Sequence, residues 1–244
     1  MSFTELPHLK ARPGDIAEDV IAVGDPGRVD LLSQLLQDPR VVNEHRGLKV
    51  VTGWYKGVRA TIATHGIGCP SAMIVFEELG KLGARRIVRV GTTGGLRRGM
   101  RPGDIVLATG AGYTQGGCGL GQYMPGVCGA TSPSPVLTAR IMESLARLGA
   151  GFTAGPVFSS DAFYAEDPSF ADRMSRLGFV AVEMEAAGLF ALGWARGWET
   201  AAVLVVSDVL VSEEKVFLTT RELADKFILV GRAVLDVFAG LRGL

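Results

Sequence analysis

The chain has 244 residues, 48% hydrophobic and 20% charged, with 25 Lys+Arg against 25 Asp+Glu and a formal net charge of +0. That length and apolar content supply ample core for one large or two small domains. The balanced charge excludes the global electrostatic footprint of a nucleic-acid or membrane-surface binder.

Met1 to Arg12 carries Glu5, His8 and Lys10 and no long apolar run, the pattern of a chain without a secretory signal. Short apolar runs then alternate with helical patterns. Val20–Val23 reads as a strand and Pro26–Leu36 as the helix after it; Val58–Thr64 is a strand followed by a helix over Pro70–Leu82. Arg86–Val90 and Asp104–Ala108 are buried strands. The long uncharged segment from Ile105 to Ala139 is too broken by Gly, Pro, Ser and Thr to span a membrane. A helix follows over Val136–Leu148, then strands near Gly155–Ser159 and Val180–Glu183, a helix starting near Met184, and a last central strand at Ala201–Val206. Thr219 and Glu222 have capping-box spacing, and Phe227, Val230, Val234, Val237 and Phe238 recur on one face of the helix that they open. The alternation argues for an α/β fold with a sheet covered on both faces, and the absence of repeats or charged linkers favours one domain over residues 1–244. Three cysteines (Cys69, Cys118, Cys128) make no disulfide framework and no Cys/His spacing suggests zinc. Reduced thiols in a cytoplasmic protein are expected, although Cys118 or Cys128, in one Gly-rich loop, could pair across a subunit boundary.

Four segments end strands in glycine-rich or polar turns, where open α/β sheets bind ligands. Gly24-Asp25-Pro26-Gly27-Arg28 offers backbone amides and a guanidinium to an anion, but is also an ordinary turn. In Arg89-Val90-Gly91-Thr92-Thr93-Gly94-Gly95, a guanidinium inside a buried strand needs a partner, either an anion beside Thr92 or a core carboxylate. Val182-Glu183-Met184-Glu185 puts two carboxylates where a strand stops and a helix begins. Helix-dipole capping accounts for Glu185 more readily than for Glu183, and both suit the vicinal hydroxyls of a ribose. Val205-Val206-Ser207-Asp208 ends an apolar strand in a carboxylate that is either a cap or a general acid.

In this order the four segments resemble the hexameric, trimer-of-dimers branch of the nucleoside phosphorylase family. Asn43-Glu44-His45-Arg46-Gly47, Thr64-His65-Gly66-Ile67-Gly68-Cys69-Pro70-Ser71 and Ser159-Ser160-Asp161-Ala162-Phe163-Tyr164 are similar to corresponding family segments, so that the resemblance runs from Pro7-His8 to Arg221. It implies a central mixed sheet, partly barrel-like, flanked by helices. It also implies phosphate binding by Gly24, Arg28, Arg89 and Thr92, with Arg46 supplied by a neighbouring subunit. Ribose would meet Glu183, Met184 and Glu185, with the neighbour's His8 at the 5′ end; the base would meet Thr93, Gly94, Phe163, Glu166, Val182 and Asp208. Asp208, assisted by Arg221, would be the catalytic acid. Pyrimidine-specific members carry a Gln and an Arg shortly after Phe-Tyr, whereas Phe163-Tyr164 is followed here by Ala165-Glu166-Asp167-Pro168. Ser207-Asp208 and Arg221 fit the purine-specific pattern; Glu166 is either an acceptor for a 6-amino group or ring N–H at the base edge or a solvated residue of an acidic turn, and the Phe163–Asp167 run resembles phosphorylases that accept 5′-methylthioadenosine.

The expected reaction is phosphorolysis of purine nucleosides (inosine, guanosine, adenosine or 5′-methylthioadenosine), with inorganic phosphate as co-substrate and no cofactor or metal. The resemblance implies a homo-hexamer of dimers that share active sites, with no nucleic-acid or membrane partner, and interface surface from Ile105–Ala139. Uridine phosphorylase is the nearest rival. A phosphate-independent nucleosidase or a non-catalytic nucleoside-binding protein fits less well, because Gly24–Arg28, Arg89 and Asp208 are all present.

Overall fold

The computed structural model describes residues 6–165, 167, 169–212 and 216–241. Nine strands form one hydrogen-bonded sheet: β1 (Asp19–Val23), β2 (Gln37–Asn43), β3 (Val50–Tyr55), β4 (Val58–Thr64), β5 (Arg86–Gly95), β6 (Ile105–Tyr113), β7 (Thr153–Ser159), β8 (Ala181–Glu183) and β9 (Glu199–Val209). Their order is β2-β3-β4-β1-β5-β8-β7-β6-β9, with β5 also paired to β9, so β5, β8, β7, β6 and β9 close into a ring. The sheet is mixed: β1 runs parallel to β4 and β5, and β5 parallel to β9, whereas β8 runs antiparallel to β5. An α/β fold with a mixed, partly barrel-like sheet is what the sequence led us to expect.

Helices α1 (Pro26–Ser33), α2 (Cys69–Lys81), α3 (Leu120–Tyr123), α4 (Pro135–Arg147), α5 (Phe170–Arg176), α6 (Ala186–Arg196) and α7 (Ala224–Leu241) surround the sheet. Alternate residues of β1 sort all but α5 into two layers, because successive strand side chains point to opposite faces. Val20 and Ala22 pack with Phe76 and Leu79 of α2 and Phe190 of α6, whereas Ile21 and Val23 pack with Leu32 of α1, Ile141 of α4 and Phe227 and Phe238 of α7. The expected apolar face of α7 is buried throughout, and Thr219 and Glu222 exchange hydrogen bonds ahead of it as the capping-box spacing requires.

Two strands lack a counterpart in the sequence reading. β2 is polar and exposed, contains Pro39 and pairs only with β3; an edge strand has no buried face to impose an apolar pattern and tolerates proline. β3 turns into β4 through Lys56 (φ 46°) and Gly57 (φ 79°), a two-residue hairpin turn with both central residues left-handed. β5 and β9 also run past their apolar stretches into Gly91–Gly95 and Ser207-Asp208, segments expected to be turns, and β6 continues beyond the expected Asp104–Ala108 strand to Tyr113. Pairing with a neighbouring strand, β9 along Gly91–Gly95 and β7 along Gly110–Tyr113, keeps these small and polar residues extended.

Candidate active site

Because β1, β4, β5 and β9 are parallel, their C-terminal ends meet on one edge of the sheet, where α/β sheets bind ligands. A cavity of about 430 Å³ opens there, a size that accommodates a small organic molecule. It is lined by Gly24 after β1, Gly66 and Ile67 after β4, Arg89 and Thr92–Gly94 of β5, Val182–Glu185 from β8 onward, and Ser207 and Asp208 of β9. Arg28, Phe163, Tyr164 and Phe217 complete the wall.

Arg89 lies on the same face of β5 as Gly91, two residues on. A Cβ at Gly91 would overlap the Arg89 guanidinium, so the glycine lets the side chain fold along its own strand into the cavity. There Nε donates to Glu183 Oε2 at 3.0 Å and Nη2 lies 2.6 Å from Glu185 Oε2. Burial opposes the charge on Arg89, but Glu185 and Glu183 outweigh it and hold its pKa above the usual value. The carboxylates reach this arginine because β8 runs antiparallel to β5, pairing Val182 with Gly94, and so travels back toward Arg89.

Glu183 is the more constrained of the two. Its Oε2 also accepts the amides of Glu185 (2.8 Å) and Ala186 (2.9 Å), and Ser159 Oγ donates to its Oε1. Glu183 is therefore the residue that satisfies the free amides at the start of α6, the reverse of the sequence expectation that capping suits Glu185 better. The strand residue wins because the chain bends sharply enough at Met184 for its carboxylate to fold under the helix start. Glu185 instead reaches across to the Gly68 amide (2.6 Å), and burial pushes its carboxyl pKa up against the pull of Arg89.

Arg28 is the second guanidinium. Asp25 takes up the Gly27 amide at the start of α1, so part of the turn expected to receive an anion is occupied by its own side chain. Arg28 itself is buried against the Phe227 ring, 5.3 Å from its centroid. Its Nε and Nη1 have no hydrogen-bond partner, Asp25 being 3.9 Å away and out of bonding range. Burial and the nearby Arg89 lower its pKa to about 10. A buried cation with unsatisfied donors is costly unless something anionic completes it. His65, fully buried between these groups and Phe76, has Nε2 3.4 Å from Arg89 Nη1. Burial, Arg89 and Arg28 hold it neutral, with a pKa well below its ordinary value.

Across the cavity, a bulge in the β5–β9 pairing places Gly94 opposite Asp208 and leaves Ser207 out of register. Bulges re-aim side chains, and this one turns Asp208 to the cavity while Ser207 Oγ donates to its Oδ1 (2.8 Å). Thr93 Oγ1 donates to the Val182 carbonyl (2.6 Å), which joins the two halves of the wall. Phe163 and Tyr164 stand exposed at the mouth with ring centroids 5.0 Å apart, beside exposed Phe217.

The model of the phosphorylase superfamily matches residues 18–239. The chain belongs to that superfamily. This phosphorylase-superfamily chain is 36% identical to the guanosine phosphorylase of Halorubrum lacusprofundi, over 84% of each chain. It is likewise 36% identical to a purine nucleoside phosphorylase DeoD-type of Myxococcus xanthus, over 95% of this chain and 96% of that one. Among solved structures it resembles purine nucleoside phosphorylase from Toxoplasma gondii in complex with immucillin-H (TM-score 0.90, 26% identity, 100% and 98% of the two chains). It also resembles uridine phosphorylase from Vibrio fischeri (TM-score 0.87, 26% identity, 97% of each).

Of the residues singled out in the sequence, the superfamily fold brings Gly24, Arg28, Arg89, Thr92, Thr93, Gly94, Phe163, Val182, Glu183, Met184, Glu185 and Asp208 to one cavity. Arg221 is not among its lining residues; it is exposed in the turn ahead of α7. Glu166 lies outside the described residues. His8 and Arg46 are also away from the cavity and share another surface. The Glu78 carboxylate holds His8 through its amide and Nδ1 (2.7 Å), His45 Nδ1 contacts the His8 carbonyl (3.1 Å), and exposed Arg46 follows with a left-handed φ of 59°. Ile67, Tyr164 and Phe217 line the cavity without having been assigned a role. Ile67 and Tyr164 stood inside motifs already quoted, whereas Phe217 has no local signal.

Among the described residues no helix is long and apolar enough to cross a membrane. Cys69, Cys118 and Cys128 are free thiols; Cys118 and Cys69 are buried with their sulfurs within 4.8 Å of each other, and Cys128 is exposed.

Proposed function

We propose that the chain catalyses phosphorolysis of purine nucleosides, releasing the base and ribose 1-phosphate, with inorganic phosphate as co-substrate and no other cofactor. The observation that carries this reading is Arg28: a buried guanidinium with two unpartnered nitrogens beside Arg89, at the floor of a cavity whose far wall holds Asp208. A phosphate dianion between the two arginines, near Gly24 and Thr92, would satisfy those donors and sit below the sugar, in line with the departing base. As the glycosidic bond stretches, the anion and the Glu183/Glu185 pair stabilise the positive sugar. Asp208 gives a proton to the imidazole nitrogen of the purine so that the base leaves neutral. Thr93, Gly94, Val182, Met184 and Phe163 would enclose base and ribose. Arg221 and Glu166 would act at the base edge.

The purine preference is supported by the names of the relatives and by the residues after Phe163-Tyr164, which lack the pyrimidine-type Gln and Arg. We also propose that residues 1–244 act as one domain in a cytoplasmic purine-salvage enzyme. The adjacency of His8 and Arg46, away from their own cavity, supports their reaching into a neighbour's site in a dimer-based hexamer. Exposed Val127 and Val136 in the uncharged segment offer apolar surface for such assembly. Phosphorus NMR of inosine incubated with phosphate tests the reaction type. A new phosphomonoester signal growing in step with hypoxanthine is expected; free ribose with unconsumed phosphate would identify a hydrolase instead.

A further inference from the structure

Behind the cavity, three metal-ligating side chains from distant parts of the sequence converge. Cys69 opens α2, Cys118 sits in the loop after β6, and Asp161 follows β7. The two sulfurs and a carboxylate oxygen of Asp161 all lie within 4.8 Å of one another. Both thiols are buried, whereas Asp161 is exposed. The local chain is shaped around the cluster. Cys118 takes a left-handed φ of 55°, uncommon for a residue with a side chain, and its amide donates to Asp161 Oδ2 at 2.8 Å. A Cβ at Gly117 would crowd the same carboxylate.

We propose that Cys69, Cys118 and Asp161 bind one thiophilic divalent cation of the zinc or cadmium type, with water in the fourth position. Two thiolates and a carboxylate are ligands for such ions. Tetrahedral coordination puts ligand atoms roughly 3.5–3.8 Å apart, so the cluster needs to contract by about an ångström or less. The exposed side of Asp161 gives entry to the ion and room for water. Binding involves no electron transfer: two metal–sulfur bonds form, and the two thiol protons leave to solvent. The ion would tie the Cys118 loop to the start of α2 and to the chain two residues before Phe163, bracing one wall of the cavity. The inference does not depend on which reaction the cavity performs. An intramolecular Cys69–Cys118 disulfide is the competing fate of the pair.

The test is titration of the reduced full-length protein with Cd²⁺ and Zn²⁺ alone, followed by thiolate-to-cadmium ultraviolet absorption and by proton release in weak buffer. One Cd²⁺ per chain and about two protons per ion are expected. The signal is lost in Cys118→Ser and kept in Cys128→Ser, and Asp161→Asn lowers affinity by about tenfold or more. Circular dichroism checks that each variant is folded. Absence of stoichiometric binding by the folded wild-type protein overturns the proposal, as does a signal that survives in Cys118→Ser. A reductant-reversible loss of two thiols on isolation, with no metal uptake after reduction, assigns the pair to a disulfide and overturns it equally.

Discussion

Replacing Arg28 by methionine is expected to stabilise the ligand-free protein and abolish its response to phosphate. The depression of the Arg28 pKa to about 10 corresponds to about 3 kcal/mol against the charged form in the folded chain. At neutral pH both folded and unfolded chains carry this charge, so the whole penalty falls on the folded state and is present at every pH below about 10. Methionine removes the penalty but also the contact with the Phe227 ring, worth about 0.5–1 kcal/mol. A net gain of about 2–2.5 kcal/mol remains, or about 4–10 °C in Tm at roughly 2–4 °C per kcal/mol for a chain of this size. Thermal unfolding with and without phosphate reads both effects. At a hundredfold excess over Kd, phosphate should add about 2.7 kcal/mol to the wild type and nothing to the variant. A variant that melts below the wild type without ligand refutes the claim that Arg28 is held at a cost. One that still gains stability from phosphate refutes its assignment to the anion.

Other perturbations separate the remaining roles. Asp208→Asn should lower kcat with purine nucleosides by about 10²–10⁴-fold with little change in KM, measured by steady-state kinetics, because only positioned proton transfer is lost; unchanged turnover removes Asp208 as the acid. Gly91→Ala should push the Arg89 guanidinium off Glu183 and Glu185 and cost about 3 kcal/mol or more, read by denaturant unfolding. His65 is neutral in the folded chain and protonates on unfolding below its ordinary pKa, so stability should fall by about 1.4 kcal/mol per pH unit below about pH 6.5. His65→Gln should flatten that acid limb relative to wild type in unfolding measured from pH 7 to pH 5.5. Arg28→Met and Arg46→Ala chains, each inactive alone, should regain activity when refolded together, up to about a quarter of wild type if two-fold dimers share sites. No recovery means that Arg46 does not serve a neighbour.

The parts of the fold legible in the sequence are those where burial imposes a pattern. Val20–Val23, Val58–Thr64 and the Phe227–Phe238 face sit within a residue or two of their places because both faces of the sheet, and one of α7, are covered. β2 was illegible because its edge position leaves it exposed, and β3 was missed although Lys56-Gly57 supplies the turn that joins it to β4. Segments such as Gly91–Gly95 and Ser207-Asp208 were legible as candidates to line a cavity but not as strand, since cross-strand pairing keeps them extended against local propensity. The division of labour between Glu183 and Glu185 turns on a single bend at Met184, which no spacing rule encodes. The Cys69–Cys118–Asp161 cluster and the arrival of Phe217 at the cavity depend on long-range packing alone.

The central claim, phosphate-dependent cleavage of purine nucleosides, is tested most directly by measuring free base released from inosine, guanosine, adenosine, 5′-methylthioadenosine and uridine, each with and without phosphate. Release from one or more purine nucleosides only when phosphate is present, with uridine intact, is the expected result. Release without phosphate, or from uridine in preference to every purine, contradicts it.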